Sequence, residues 1–279
     1  VPQFLVSALV HQGSWRHSNL IGRSFFSTIY KAMQEIAAIS AGDAQRILES
    51  YPESTIKVAG DTRVDSVLSR RDDVTAPDFP KTWNKENVLI GGSIWPADIA
   101  CLRSVLLEAL EELSELRLIL VPHETTEEHV SEIKEIFSSY PIHLWSQGPK
   151  ERFAEARVLI VDEIGVLSSL YAKANLAFVG GAFTTGVHNI MEPAAFGLPT
   201  FFGPRFHNYA TAIRFVEDKL AHSVRNAEKL RLLIMPLLKE PDNAKELGLR
   251  AQNLLEQEAG AAEQCAEMIR PFLLNQENT

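Results

Sequence analysis

The alternation of short apolar runs with amphipathic helical patterns is the feature that most constrains the fold of this 279-residue chain. The clearest apolar runs, each bounded by turn-forming residues and followed by a helical pattern, are Val88–Gly91, Leu116–Val121, Val158–Val161 and Leu176–Val179. Units of strand, helix and strand cross over with a right hand and place their strands in parallel. The sequence therefore predicts an α/β fold with a doubly wound parallel sheet, preceded by the tail of another α/β element.

Composition and charge exclude several classes of function. Acidic residues outnumber Lys and Arg by 36 to 27, the net charge is −9, and no basic block occurs. Nucleic acid is therefore not an expected partner, since its binding rests on neutralised phosphates. No apolar run approaches the roughly 20 residues of a membrane-spanning helix. Cys101 and Cys265 lie far apart and outside any C-x-x-C pattern, so neither a disulfide framework nor a cysteine zinc site is predicted.

Two stretches bear on domain organisation. The segment from Asp72 to Lys85 has no hydrophobic period and is rich in loop-forming residues, so it predicts a linker. The chain opens on an apolar run at Phe4–Leu9, without an initiator Met and without the charged start of a signal peptide. We therefore expect the sequence to be a fragment of a longer protein.

The loop after Leu176–Val179 holds the strongest candidate site, because ligands bind at the carboxyl ends of strands in such sheets. It begins with Gly180-Gly181 and leads to a helix predicted from Asn189. Glycines let a phosphate approach the backbone, and free amides at a helix start bind anions. Alternatively, Asn189 caps the helix and Glu192 closes a capping box without any ligand. That alternative leaves His188 and the double glycine unexplained.

The other strand-to-helix loops offer weaker candidates, each of which could also be a simple turn. The polar residues that follow the strands there are Ser93, His123, Asp162 and Arg205. Arg205 is notable because an anionic ligand requires a cation. His123 and His129 are six positions apart rather than four, so the zinc-protease helix motif is absent and no metal site is predicted.

Taken together, these loops resemble those of the 3-deoxy-D-manno-octulosonic acid (Kdo) transferases of lipopolysaccharide assembly. The resemblance runs from about Phe4 to Phe215, and the glycine-rich His-Asn…Glu segment is its most specific part. The matching segments, in the family's order, are Gly60-Asp-Thr-Arg-Val-Asp, Gly91-Gly-Ser-Ile-Trp-Pro, Pro122-His-Glu, Asp162-Glu-Ile-Gly and Gly180-Gly-Ala-Phe…Gly186-Val-His-Asn-Ile-Met-Glu-Pro-Ala.

The resemblance implies an inverting glycosyltransferase of GT-B architecture, with two Rossmann-like domains facing across a cleft. The first domain would bind a lipid A precursor and the second the donor CMP-Kdo, with no metal or cofactor in the transfer. Residues 1–70 would be a remnant of the acceptor domain, 71–85 the linker, 86–260 the donor domain, and 261–279 a closing helix and tail. The family's catalytic glutamate lies upstream of this chain, so we expect the fragment to be inactive.

The resemblance also implies roles for individual residues. It brings Gly180, Gly181, His188 and Asn189 to the donor phosphate, Glu192 to the ribose hydroxyls, and Ser93, Pro122, His123, Asp162 and Gly165 to the cytidine and Kdo side. Many relatives carry Arg before the histidine where this chain has Pro122. We therefore expect Arg205 to pair with the Kdo carboxylate instead.

The resemblance finally implies a location for the full protein at the cytoplasmic face of the inner membrane. Contact with the membrane surface would run through an N-terminal part outside this chain, and the fragment itself would be soluble. Two alternatives stay open. The chain could come from another GT-B enzyme, such as a UDP-sugar epimerase or transferase, or it could be a non-catalytic nucleotide-binding module, since fold does not fix function.

Overall fold

The computed structural model describes residues 2–10, 14–148 and 153–274. The chain divides into two compact units, one formed by residues 1–69 with 256–279 and the other by residues 70–255. Val1 and the expected tail after Leu274 lie outside the described residues.

The smaller unit is built on a parallel sheet of three strands in the order β1-β2-β3. Its elements before residue 74 are β1 (Phe4–Ala8), α1 (Trp15–Ser18), α2 (Leu20–Ala32), β2 (Glu35–Ala38), α3 (Ala41–Ser50), β3 (Ile56–Val58) and α4 (Thr62–Asp73). The chain's last helix, Ala261–Leu274, returns to this unit and buries Cys265 and Met268 against Ala37 and Ala59.

Side-chain caps set several helix starts in this unit. The Asn19 carboxamide accepts the amides of Ile21 and Gly22 at the start of α2, and Ser40 does the same for α3. Asp65 accepts the amides of Gly260 and Ala262, which fixes the start of the last helix. Residues 71–73, in the expected linker, are the final turn of α4, and residues 74–84 have no regular secondary structure.

The larger unit contains a parallel sheet of seven strands in the order β10-β9-β8-β4-β5-β7-β6. The strands are β4 (Val88–Ile94), β5 (Arg117–Pro122), β6 (Ile142–Leu144), β7 (Val158–Ile160), β8 (Leu176–Val179), β9 (Thr200–Phe202) and β10 (Ala221–Ser223). The helices are α5 (Pro96–Glu112), α6 (Glu127–Ile136), α7 (Leu167–Leu170), α8 (Met191–Ala195), α9 (Ala210–Glu217), α10 (Ala227–Lys239) and α11 (Pro241–Gln257). The final helix of the chain is α12.

Alternating side chains of the central strands enter two different cores, because successive residues of a strand point to opposite faces. Leu89 and Leu118 belong to one hydrophobic cluster, whereas Ile90 and Ile119 belong to the other. Burial on both faces explains why these strands read as continuous apolar runs in the sequence.

The structure differs from the sequence-based expectations in three places. β10 was not predicted, because its three residues include His222 and carry no apolar run. A proline normally breaks a helix, but Pro236 lies inside α10, where the carbonyl that loses its donor belongs to exposed Leu232. The helix expected from Asn189 begins two residues later, at Met191. Within the described ranges, no helix is both long and apolar enough to cross a membrane.

Candidate functional site

The larger unit has one point where the strand order reverses. From β4 the chain builds outward through β5, and it later returns to the other side of β4 as β8. The loops after β4 and β8 therefore flank the crevice where sheets of this class bind ligands. Ser93, expected in the first of these loops, is instead the second-last residue of β4, and the second loop contains Gly180, Gly181, His188 and Asn189.

One buried carboxylate joins the two loops. Asp98, in the first turn of α5, is fully buried, and its Oδ2 accepts the amides of Trp95 and Gly181 at 2.9 Å each. The Gly180 amide also donates to the carbonyl of Gly92 at 2.9 Å. Burial raises the pKa of Asp98, while the two amide hydrogen bonds oppose that rise. The buried Asp98 carboxylate thus holds the two loops together by accepting a backbone amide from each.

The double glycine is required by this close approach. A Cβ on Gly180 would overlap the carbonyl oxygen of Ser93, and Gly181 has φ of +92°, a conformation that favours glycine. Ser93 itself has φ of +52°, which is uncommon for a residue with a side chain. The close backbone contact therefore explains Gly180, and the positive φ explains Gly181; the sequence revealed neither cause.

Three aromatic side chains meet over the crevice. The rings of Trp95 and His123 stack with centroids 4.4 Å apart, and those of His123 and His188 stack at 4.6 Å. The Trp95 Nε1–H donates to His188 Nε2 at 3.1 Å. Trp95 and His188 must therefore lie side by side on one face of His123, because a hydrogen bond cannot reach across the thickness of a ring. His123 is exposed to solvent.

His188 is held in an environment that favours its neutral form. Partial burial, and then the nearby His123, lower the pKa of the His188 imidazole. Its backbone amide donates to the carbonyl of Gly180 at 3.2 Å, which closes the glycine-rich loop.

The loop after β8 is further braced by Arg205. Its backbone amide donates to the Ala182 carbonyl, its own carbonyl accepts the Val187 amide, and its Nη1 donates to the Thr184 carbonyl. The guanidinium is exposed. Arg205 therefore lies beside the glycine-rich loop, where its remaining donors face solvent.

Asn189 and Glu192 interact with each other through their side chains. Asn189 Oδ1 accepts the amide of Met191 at 3.0 Å, and Asn189 Nδ2 donates to Glu192 Oε1 at 3.1 Å. Arg70 Nη1 reaches the same carboxylate oxygen at 3.4 Å. The reciprocal half of the expected capping box is missing, because Glu192 binds the side chain of Asn189 and not its backbone amide. Across the residues that the structure describes, the amides of Asn189 and Ile190 have no hydrogen-bond partner.

The remaining candidates lie at other strand ends. Pro122 is the buried last residue of β5, and the His123 amide after it donates to the carbonyl of Ile94 at 2.9 Å. Asp162 and Gly165 follow β7, which β5 separates from β4. The Asp162 carboxylate accepts the amide and hydroxyl of Ser146.

Sequence reasoning missed Trp95, whose position between a buried strand and Pro96 was its only signal. In the described part of the chain, no three His, Cys, Asp or Glu side chains gather where they could hold a metal ion.

Comparison with known proteins places these features in context. No family model matches the sequence. The chain is 28% identical over 191 residues to the 3-deoxy-D-manno-octulosonic acid transferase of Chlamydia trachomatis serovar A, a match covering 67% of this chain and 43% of that protein. The chain spans about half the length of the curated relatives it matches.

Solved structures give the same fold. The C-terminal CMP-Kdo binding domain of WaaA from Acinetobacter baumannii aligns with a TM-score of 0.54 and 26% identity, covering 68% of this chain and 98% of that domain. A UDP-N-acetylglucosamine 2-epimerase aligns with a TM-score of 0.59 over 96% of this chain and 64% of its own, but at 13% identity it shows the fold alone. The predicted doubly wound, Rossmann-like α/β fold of GT-B type is confirmed.

Proposed function

We propose that this chain, which belongs to the family of 3-deoxy-D-manno-octulosonic acid transferases, supplies the donor-binding part of a glycosyltransferase that uses CMP-Kdo. The observation that carries the proposal is the set of unpartnered backbone amides beside His188, at the point where the strand order reverses. A crevice of this type, lined by a few converging polar groups, is typical of a nucleotide site.

The amides of Asn189 and Ile190 form the proposed phosphate site. Successive backbone N–H groups in a turn bind anionic oxygens. Because α8 has only five residues, its dipole adds little, and the amides themselves must provide most of the attraction. Gly180 and Gly181 contribute by holding the loop close to Ser93.

The nucleoside and the sugar would occupy the neighbouring groups. The open face of His123 offers a surface on which the cytosine ring can stack, since its other face is covered by Trp95 and His188. Glu192 is proposed for the ribose hydroxyls, and Arg205 for the Kdo carboxylate. The arginine has five N–H donors, so its bond to Thr184 leaves others for a ligand. Ser93, Pro122 and the Asp162–Gly165 loop complete the proposed set.

The proposed chemistry is an inverting transfer. An acceptor hydroxyl attacks the anomeric carbon of Kdo from the side opposite CMP, and the bond from that carbon to the phosphate oxygen breaks with its electrons leaving on CMP. The hydroxyl proton passes to the glutamate that the resemblance assigns to a region upstream. Fixed donors beside the departing phosphate stabilise the charge that develops in the transition state.

The acceptor and the location are further parts of the proposal, supported by the resemblance alone. We infer a lipid A precursor as acceptor, and a cytoplasmic-face, inner-membrane location for the whole enzyme in lipopolysaccharide synthesis. The same resemblance supports the proposed division into an acceptor-domain remnant and a donor domain.

Calorimetric titration of the purified chain with CMP, CMP-Kdo, UMP and UDP tests the donor assignment. We expect the cytidine ligands to bind more tightly than the uridine ligands.

We also expect Asn189→Ala to weaken CMP binding about tenfold, the equivalent of ~1.4 kcal/mol, because the turn loses the side-chain bond that orders its amides. Asn253→Ala, on an exposed position of α11, is the matched control and should bind CMP as the unmodified chain does. Tighter binding of a uridine nucleotide would favour the epimerase or UDP-sugar alternative, and binding of no nucleotide would contradict the proposal.

A further inference from the structure

We propose that Trp95 is a positioning residue that holds His188 as the tautomer with its proton on Nδ1, so that the imidazole offers a neutral donor to an oxygen of the bound donor substrate. The assignment of the tautomer stands on the geometry of the chain. The use of that donor toward a ligand rests on the proposed function.

The hydrogen bond between the two side chains determines the tautomer. An indole N–H is a donor and has no acceptor capacity. With Trp95 Nε1 at 3.1 Å from His188 Nε2, that imidazole nitrogen must act as the acceptor and carry no proton. In the neutral ring the single proton is then on Nδ1. Neutral histidine otherwise distributes its proton between both nitrogens, and the identity of the second partner fixes the choice.

Neighbouring groups keep both rings in place. Trp95 is the residue before α5, its amide is bound by buried Asp98, and Pro96 fixes the backbone after it. The His188 ring lies against Gly181, where a Cβ would approach Nε2 to 2.8 Å. The ring of His123 covers both side chains from one side. Rotation of either ring would break the hydrogen bond between them.

The surroundings of the ring also favour the neutral imidazole. His123 stacks on it, whereas the Asp98 carboxylate, which would favour the charged form, accepts the amides of Trp95 and Gly181. Burial and His123 lower the pKa of His188. A hydrogen bond donated to the unprotonated nitrogen acts in the same direction, because protonation of Nε2 would break it. The ring is therefore suited to donate without carrying a charge.

The test combines nitrogen NMR of the free chain with CMP titration. Long-range ¹H–¹⁵N spectra should show His188 with a protonated Nδ1 and an unprotonated Nε2. In Trp95→Phe, which keeps an aromatic ring over His123 but lacks the N–H, we expect a mixture of tautomers and a pKa of His188 higher than in the unmodified chain. CMP affinity should fall about threefold to tenfold. Trp145→Phe, the same substitution at a partly buried tryptophan outside the crevice, is the control and should change none of these quantities.

The outcomes separate this inference from the proposed function. A proton on Nε2 in the unmodified chain, or an unchanged tautomer in Trp95→Phe with a native circular dichroism spectrum, would overturn the inference. If Trp95→Phe alters the fold, a second measurement on the unmodified chain keeps the test: a nitrogen–nitrogen coupling through the hydrogen bond should join Trp95 Nε1 to His188 Nε2, and its absence would overturn the inference. The expected tautomer in a chain that binds no CMP would support the positioning by Trp95 and contradict the proposed function.

Discussion

At the scale of the residue, Asp98 shows how burial and hydrogen-bond partners determine what a side chain does in the site. Asp98 is fully buried, yet one of its oxygens accepts two backbone amides that are far apart in sequence. Removing such an acceptor would leave two amides without partners, which costs more than the hydrogen bonds alone contribute. Its role is to join the loops, and it has no need to touch a ligand.

The stability of the larger unit should depend on pH through two partly buried histidines, His188 and His222. Burial lowers the pKa of His222, with a further contribution from Lys229, and burial also lowers the pKa of His188. A histidine with a folded-state pKa below its unfolded value of about 6.5 binds protons more readily when unfolded. Stability is therefore full above pH 6.5 and falls as the pH drops from there toward the folded-state pKa.

Urea unfolding followed by tryptophan fluorescence at pH 7.5 and 5.5 measures this dependence. We expect a smaller free energy of unfolding at the lower pH, and a weaker dependence in His222→Phe, whose side chain does not titrate. His207→Phe replaces an exposed histidine and serves as the control. Equal stability of the unmodified chain at both pH values would contradict the prediction.

At the scale of the element, the contact between the loops after β4 and β8 is what shapes the candidate site. Parallel pairing of the two strands brings Gly92 opposite Val179, so the residues that follow must pack backbone against backbone. This contact sets the position of His188 relative to Trp95 and His123. It also explains why the first residue after β8 is glycine.

Gly180→Ala should therefore destabilise the chain. The added methyl group would overlap the Ser93 carbonyl and approach the Ile94 Cα, and backbone atoms cannot move aside as a flexible side chain can. We expect a loss of about 2 kcal/mol or more in the free energy of unfolding, within the range of severe overpacking.

Gly165→Ala is the informative comparison for that variant. Gly165 has φ of +93°, but a Cβ there meets nothing within 4 Å. Its cost should be limited to backbone strain of about 1 kcal/mol. Urea unfolding curves of both variants measure the difference, and a smaller loss for Gly180→Ala than for Gly165→Ala would show that the loop contact is not tight.

At the scale of the whole molecule, the two units differ in extent. One is a seven-stranded sheet covered on both faces, and the other is a three-stranded sheet joined by α12. The chain spans about half the length of the curated relatives it matches. Donor binding and sugar transfer must therefore be measured separately.

The purified chain should bind CMP-Kdo without transferring Kdo to a lipid A precursor. The physical reason is that the proposed donor site lies in this chain, while the resemblance assigns the general base for the acceptor hydroxyl to another part of the relatives. A radiolabelled transfer assay measures product, with a full-length family member as positive control. Turnover by this chain above the no-enzyme level would refute the prediction.

Much of the fold follows from local patterns. β8 occupies the predicted residues, and the predicted and observed limits of β5 differ by one residue at each end. These strands are apolar runs, so short-range information determines them. β10 was missed because three residues with one histidine carry no period. Its pairing with β9 supplies the stabilisation that its own sequence does not.

The candidate site divides in a similar way. The sequence indicated the glycine-rich loop, because Gly, His and Asn after a buried strand form a pattern within about ten positions of one another. It gave no sign of the bond between Trp95 and His188, which are 93 positions apart. It also left open a capping box at Asn189 as an alternative, whereas the side chain of Glu192 binds the side chain of Asn189.

The sequence by itself determined the class of fold, the order of most of its strands and helices, and the family that its loops resemble, because hydrophobic periods and short motifs are local properties. The tertiary structure alone decided which of the loops share a crevice, that Trp95 and His188 come within hydrogen-bond distance, and why Gly180 must lack a side chain. Those properties depend on atoms brought together by strand pairing between distant segments, and no local pattern encodes the distance between them.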